Sequence, residues 1–565
     1  MERICRRAER LLPGRRAGLA PATAEGEKNT SGHRTGLIHL TIVLMTVLAL
    51  VLRVYEVTRP GLLLGVPQYD DAVYFGSALR LINGYAPYRD FVFLQPPGIS
   101  LLLAPVAFIA KLTGTDVGLA VARVLTACVG AASVLLGGLL IRHTGLVAVI
   151  VACGILAIHP DAAGAAQTVF LEPWLVASVL AGALAAFSRG QLTTSTRRLT
   201  CAGVALAIAC AIKTWAVVPL GVLLVLLVCA GGRRAAISFV SGLIPTLLVT
   251  VGPFVAAAPH AFVENVVVAQ LSRGDISTTK APDRINSLLG LTDLRLSDHI
   301  VIAVAIAAVL VVGGMSSTAS VLGGRRPDSL EQFGVLSLAI TFVMFMRAVD
   351  YYVHYAAFFA LFLALTVSLP LARLLGWFVA SVRSRQDSAH WAAAPGAVLA
   401  SGAIVALAWG AVLVRQHEAV LRGPGPPLAV GRAIPRNSCV LTDWPAYTIA
   451  VSRFVSSPPG CSPIVDAIGM DYALAHGRTA LTGAGTVPAA RSAWLSAFRH
   501  AEYVWLSCGP PRAKMCDAST NRRIPWTAAI VAYFSRHFRR LTLVTPTVTH
   551  ATSIPTPVVW KRTRG

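Results

Sequence analysis

Long apolar runs, broken by short polar or basic stretches, fill the chain as far as about Val414. The first extends from Leu37 to about Val57, and roughly 20 apolar residues suffice to cross a bilayer as a helix. From Ala72 to Ile82 the apolar residues instead recur at helical spacing. Tyr74, Ala78 and Leu81 share one face, with Phe75, Leu79 and Ile82 beside it, and Asn83-Gly84 supplies a stop. This pattern predicts a short helix lying on the membrane surface. The run from Pro97 to about Ala110 is apolar but short, a length more typical of an interfacial or re-entrant piece than of a span.

If that piece does not cross, the later runs alternate in direction. One over about 117–141 ends at Arg142-His143, and the next emerges at His159-Pro160-Asp161. Another follows Glu172-Pro173 and ends at Arg189, Arg197 and Arg198. A pair around Lys213 to Pro219 returns to Arg233-Arg234, and an outward helix reaches Pro259. After a polar loop from His260 to about Ser297 come helices ending near Arg325-Arg326, Arg347 and Arg383-Arg385, and a last one emerging around Val414. The result is about eleven spans with the N-terminus inside and the C-terminus outside. Every basic doublet between the spans then lies on the cytoplasmic side. Counting Pro97–Ala110 as a span inverts everything after it and breaks that regularity.

The pattern changes after about residue 415. A Gly/Pro linker, Arg422-Gly423-Pro424-Gly425-Pro426-Pro427, precedes strand-like runs at Cys439–Leu441, Tyr503–Ser507, Leu541–Thr545 and Pro557–Trp560. Helical patterns sit at Ala490–His500 and Ala528–Phe538. Mixed strands and helices predict a small α/β domain over 415–565, about 150 residues and large enough to fold alone.

Composition agrees with a membrane protein. The 565 residues are 55% hydrophobic and only 13% charged, against roughly a quarter charged in a soluble protein. The net charge of +23 needs no nucleic-acid partner, because basic residues in cytoplasmic loops orient membrane helices. Residues 1–35 are Arg-rich and polar, with no apolar core of a cleaved signal peptide, and are expected to form a disordered cytoplasmic tail. Cys439, Cys461, Cys508 and Cys516 all fall in the C-terminal part. An even set confined to one region predicts disulfides in an oxidising compartment, in keeping with an outer location. Zinc ligation is the competing reading, and no CxxC spacing supports it.

The outer side collects the candidate chemistry: Asp70, Asp71, Arg89, Asp90, Gln95, Asp161, Glu172, Lys213, His260, Glu264, Arg273, Asp275, Lys280, Asp283, Arg284, Arg347, Asp350, Tyr351, Tyr352, His354 and Tyr355. An acceptor hydroxyl needs a carboxylate base within hydrogen-bond reach. A departing lipid phosphate needs fixed cations. Asp70 is the leading candidate base. Either of Asp70 and Asp71 would serve as a helix cap, but one suffices and the second is left unexplained. Glu172, before Pro173, fits a first-turn dipole partner. Lys213 lies within an apolar run near an outer helix end, where a functional cation competes with a snorkelling one. His354 fits an interfacial aromatic belt as well as a site. The loop charges Arg273, Lys280 and Arg284 are expected to be solvated.

Taken in order, these motifs resemble the GT-C superfamily of integral-membrane glycosyltransferases. They are most similar to the branch of protein O-mannosyltransferases, the lipid A aminoarabinose transferase and actinobacterial sugar transferases. The matching motifs are Asp70-Asp71-Ala72-Val73-Tyr74, Gln95-Pro96-Pro97-Gly98 opening a jaw helix, Glu172-Pro173, Ala211-Ile212-Lys213 and the Tyr351–Tyr355 segment, covering roughly the first 375 residues. The resemblance implies a GT-C domain over 36–414, with catalytic motif and jaw helices in a first outer loop at 58–116, followed by the extracytoplasmic domain. It implies transfer of a sugar, mannose or arabinose, from a polyprenyl-phosphate donor in the membrane to a glycan, glycolipid or protein acceptor on the outer face of the plasma membrane, usually with inversion.

By that likeness Asp70 is the general base with Asp71 beside it, and Glu172 orients the acceptor or the base. Lys213, a loop arginine and His354 meet the donor phosphate, and Tyr74 lies in the substrate motif. Several relatives carry Lys before the Pro-Pro pair where this chain has Gln95, so Arg347 or Arg273 would complete the clamp. No cofactor is implied; a carboxylate pair is able to hold a divalent cation, but this branch mostly needs none. The alternative from another class is a transporter or flippase of a lipid-linked sugar. It predicts internal repeats and charges deep in many helices, and the charges here cluster on one side. A scaffold presenting the C-terminal domain would leave the paired Asp, Glu172 and Lys213 without a reason.

Overall fold

A computed structural model of the chain describes residues 27–272, 279–294, 296–323, 327–384, 427–455, 460–461, 464–474, 487–507, 524–541 and 558–563. Helix α1 spans Glu27–Val57. It starts inside the stretch expected to be a disordered tail, because extending an apolar helix adds a hydrogen bond per residue once its nucleus exists. The rest of that expected tail, 1–26, lies outside the described residues. Then follow α2 (Asp70–Leu81), α3 (Gly98–Thr113), α4 (Thr115–Ile141), α5 (Leu146–Ile158) and α6 (Leu171–Ala186). A hairpin of β1 (Phe187–Ser188) and β2 (Gln191–Leu192) leads to α7 (Thr196–Ile212), α8 (Val217–Leu226) and α9 (Gly232–Thr250). A short α10 (Ala281–Leu288) precedes α11 (Asp298–Gly323), α12 (Ser329–Arg347) and α13 (Ala356–Ser384).

Six helical stretches among the described residues are long and apolar enough to cross a membrane, and α3, α5 and α6 are shorter apolar helices. The chain is a multi-pass membrane protein. Every expected span up to α13 has its helix, and the last, around Val414, lies outside the described residues. The apolar stretch Thr214–Thr250 breaks at Gly232, where φ of 77° follows a π-helical turn at Leu227–Gly231, and so forms α8 and α9. Gly203 of α7 and Gly242 of α9 let these helices touch closely: a Cβ on either would overlap the backbone of the other.

Two faces organise the bundle. At one, α1 ends beside α5: buried Arg53 donates from Nη2 to the Leu156 carbonyl at 2.9 Å and from Nη1 to that of Ala157 at 3.3 Å. At the same face Gly98 begins α3 against the last turn of α7, and its Cβ position is 2.5 Å from the Ala211 carbonyl oxygen. At the other face the start of α1, the end of α4, the end of α6 and the start of α7 meet around one cavity. Helices α1, α4, α5, α6 and α7 therefore alternate between the faces. Helix α3 does not: it starts at Ala211 and ends beside Thr115, whose amide donates to Ser452 of the C-terminal part at 2.9 Å. Both its ends lie on one face, as its short apolar run predicts.

Helix α2 departs from its expected place on the membrane surface. Residues Asp71 to Arg80 are all buried, because α3 packs on one side and the C-terminal part on the other. The Ser77 and Ser100 hydroxyls meet at 2.7 Å, and the Arg80 guanidinium lies 4.6 Å over the Phe454 ring.

The C-terminal part holds a four-stranded sheet in the order β3 (Val440–Thr442), β4 (Tyr503–Leu506), β6 (Val558–Arg562), β5 (Phe538–Arg540). The β3–β4 pair is parallel and the other two are antiparallel. The strand expected at Leu541–Thr545 is found earlier, as β5, since α-helix Ala528–His537 passes directly into extended backbone at Phe538; 542–545 lie outside the described residues. Cys439 and Cys461 form a disulfide, and Cys508 and Cys516 lie outside the described residues. Trp494, Phe498, Ile530 and Phe534 form a local core. Trp444, Tyr447, Ile449 and Trp505 instead join the apolar core of the membrane helices.

Candidate active site

Asp70 and Asp71 are the first residues of α2, and neither is its N-cap: that position is Tyr69, whose side chain makes no cap bond. Consecutive residues on a helix point about 100° apart, and the two carboxylates part accordingly. Asp70 lines a cavity of about 930 Å³. Asp71 is fully buried, with its Oδ2 accepting from Arg123 of α4, Nη2 at 2.5 Å and Nε at 3.0 Å. Arg123 Nη1 in turn donates to the carbonyls of Leu62, Leu63 and Gly65 at 2.7–3.0 Å. The second Asp thus fixes the loop that delivers the first. This corrects the catalytic assignment of Asp71: its carboxylate does not line the cavity and pairs with Arg123 instead.

Lys213 ends α7 in extended backbone, with φ of −152°, before a single 3-10 turn. It lines the cavity, and its Nζ donates to Glu172 Oε1 at 2.5 Å while lying 3.5 Å over the Trp215 ring and 4.7 Å over that of Tyr355. Glu172 is buried behind it at the start of α6, so Glu172 holds the lysine and is not itself a wall of the cavity. His354 lines the cavity, stacked on Phe170 at 4.2 Å with its Nε2 3.9 Å from Glu172 Oε1. One carboxylate and two aromatic faces thus hold the ammonium in place.

Gln95 and Tyr74 also line the cavity. The Gln95 segment is tied down by Tyr88, whose hydroxyl donates to the Gln95 carbonyl at 2.6 Å, and by Gln270 Nε2, which donates to that of Leu94 at 2.7 Å. Asp161, Asp283, Tyr351, Tyr352 and Tyr355 complete the walls expected from the sequence. Asp161 Oδ2 accepts from the Ser287 hydroxyl at 2.5 Å.

Other expected residues lie elsewhere. Arg347 is exposed at the end of α12 and does not line the cavity, which corrects its assignment to the phosphate clamp. Arg273 lies outside the described residues. Arg284, expected to be solvated, is buried and donates to the carbonyls of Phe345 at 2.9 Å, Ala348 at 2.5 Å and Thr279 at 3.0 Å. Arg89 and Asp90 pair with each other at 2.8 Å. Among the described residues no group of three or more His, Cys, Asp and Glu stands close enough to hold a metal ion.

One wall was not foreseen. Asp466, Ile468, Gly469 and Tyr472 of the C-terminal part line the same cavity. Tyr69, next to Asp70, donates its hydroxyl to Asp466 Oδ1 at 2.9 Å and accepts from the Ile468 amide at 3.2 Å. Its ring meets Trp444 edge-on at 5.5 Å. The Gly469 amide donates to the same Oδ1 at 2.7 Å, and any side chain at Gly469 would collide with that carboxylate. Ser452 anchors the same part by donating to Asp116 Oδ1 at 2.9 Å. Below Asp466, burial holds the Asp471 carboxyl well above the usual carboxylate range; the Trp494 indole, donating at 3.0 Å, works against it, and nearby Asp466 adds to it.

No family model matches the chain, and no curated protein matches it. Among solved structures it is similar to ArnT from Cupriavidus metallidurans. With ArnT bound to undecaprenyl phosphate the TM-score is 0.52, with 12% identity over 92% of this chain and 97% of that one. With apo ArnT the TM-score is 0.54 at the same identity and coverage. An oligosaccharyltransferase from Archaeoglobus fulgidus, tethered to an acceptor peptide, gives 0.41 and 15% identity over 83% of this chain and 68% of that one. At these identities the likeness to ArnT shows the fold, over nearly the whole of both chains.

Proposed function

We propose that this chain, a multi-pass membrane protein with the GT-C fold, is a glycosyltransferase that moves a sugar from a polyprenyl-phosphate donor to an acceptor hydroxyl. One observation carries the reading: a single cavity at one face of the bundle holds both an accessible carboxylate, Asp70, and a fixed ammonium, Lys213. The reaction needs both. The acceptor oxygen attacks the anomeric carbon and gives its proton to Asp70. The bond from that carbon to the phosphate oxygen breaks, and the electron pair leaves with the polyprenyl phosphate. The charge growing on that oxygen is met by Lys213, which Glu172, Trp215 and Tyr355 hold in place. His354 stands beside the phosphate and Gln95 supplies a neutral contact. Attack opposite the leaving group inverts the anomeric centre. The donor carries its own leaving group, so the reaction as proposed requires no cofactor.

Mannose and arabinose are the proposed sugars, and an envelope glycan, glycolipid or protein the acceptor. The catalytic face is proposed to be extracytoplasmic. Support comes from the basic doublets at the opposite helix ends and from the Cys439–Cys461 disulfide in the C-terminal part, which also supplies a wall of the cavity. The test is transfer from labelled polyprenyl-phosphate mannose, arabinose and glucose in membranes. Asp70→Asn is expected to abolish transfer of the true donor sugar at wild-type expression. Full transfer by Asp70→Asn would overturn the base assignment and favour a carrier of the lipid-linked sugar.

A further inference from the structure

A second cavity, of about 470 Å³, lies at the opposite face, among the start of α1, the end of α4, the end of α6 and the β1–β2 hairpin. Leu139, Leu140, Leu184 and Phe187 give it apolar walls, and Arg142, Arg189 and Arg198 give it cations. Arg198 is committed: it donates to the carbonyls of Leu184, Ala185 and Phe187 at 2.6–3.1 Å and so caps the end of α6. Arg142 and Arg189 are not so used. Among the described residues neither takes part in an ion pair. Under the hairpin, Asp328 caps α12 through Oδ1, accepting from the Glu331 amide at 2.8 Å, while its Oδ2 lies against Gly190.

The hairpin itself adds a second observation. Its two-residue turn is Arg189-Gly190, with φ of 49° and 80°. Such turns favour Asn, Asp or Gly at the first position, because other side chains are strained with positive φ. An arginine here is paid for in local strain, and strain of this kind gathers where a side chain has a task. Orientation by positive charge accounts for arginines at this face. It does not account for an apolar-walled cavity beneath two unpaired ones, or for an arginine in a glycine conformation.

We propose that this cavity binds a phosphate group that carries an apolar tail: the phosphate meets Arg142 and Arg189, and the tail lies along Leu139, Leu184 and Phe187. An anionic phospholipid of the facing leaflet supplies that chemistry, and a soluble phosphate supplies its polar half. The inference does not depend on the proposed transferase reaction.

The full chain in neutral detergent tests it. Phosphatidylglycerol, cardiolipin, phosphatidylcholine and inorganic phosphate are titrated separately, with lipid retention read by native mass spectrometry and stability by thermal melting. Phosphatidylglycerol and cardiolipin are expected to be retained and to raise the melting temperature, phosphatidylcholine not. Arg189→Gly keeps the turn and removes the guanidinium. It is expected to melt higher than wild type without lipid, yet to retain the anionic lipids about fivefold less, the effect of one basic residue at an anionic headgroup. Arg197→Ala, an exposed arginine of the same face outside the cavity, is expected to retain them normally. Stabilisation by inorganic phosphate equal to that by lipid would support the phosphate site and assign it a soluble ligand. Equal retention of phosphatidylcholine, wild-type retention by Arg189→Gly, or an equal loss in Arg197→Ala would overturn the site.

Discussion

Two adjacent aspartates show how far one residue's surroundings decide its task. Asp70 faces a cavity and Asp71 a guanidinium, so their Asn variants should fail differently. Asp70→Asn is expected to lose transfer with its melting temperature unchanged. Asp71→Asn strands Arg123 in the interior, and breaking a buried pair costs about 3–5 kcal/mol; a lower melting temperature is the expected readout, and unchanged stability would refute the pairing. Asp471 gives the pH test. Its folded pKa lies above its unfolded value, so between the two the folded chain binds more protons and stability falls as pH rises. Asp471→Asn keeps an acceptor for Trp494 and removes that slope. Melting from about pH 4 to about pH 8 should show the variant gaining on wild type as pH rises; parallel curves would contradict the burial argument. Asp70 and Lys213 were legible in the sequence because charges stand out at the edges of apolar runs. The task of Asp71 was not, because Arg123 sits 52 residues away inside a run that reads as continuous span. Asp466 was not either, since an aspartate in a polar region carries no signal.

Helices came through from the pattern better than their neighbourhoods did. The run after Pro97 was legible as an element that does not cross, because its length is set by sequence alone. The burial of α2 was not, because its second cover comes from residues near Phe454, far along the chain. The β5 position was missed because the strand starts where a helix stops, at Phe538, and no turn residue marks the change. Gly98 is the joint between α3 and α7, and it tests whether that contact places Lys213. Gly98→Ala drives a methyl into the Ala211 carbonyl, and overpacking of this kind costs roughly 1–3 kcal/mol. Lower stability and weaker transfer are expected. Gly221→Ala in α8 meets nothing within 4 Å and serves as the control; equal effects of the two would show that the α3–α7 contact is not the cause.

At the scale of the molecule, the expectation of a separate C-terminal domain meets a structure in which that part shares core with the membrane helices and walls the cavity. Tyr69→Phe deletes the bond to Asp466 and keeps the ring against Trp444. Ser452 and Asp116 still hold the parts together, so melting should barely change while kcat/KM falls about tenfold, the effect of losing one hydrogen bond that holds the base loop. Unchanged kcat/KM would make the contact structural only. The same bond sets a clock. Its two ends are 397 residues apart, and a ribosome adding about 5–20 residues per second reaches the second about 20–80 s after the first. Through that interval the helices from α2 to α13 are made one after another while the base loop has no partner. The newborn protein therefore lacks this wall of its cavity until the chain has grown past Asp466, and the site is completed only late in synthesis.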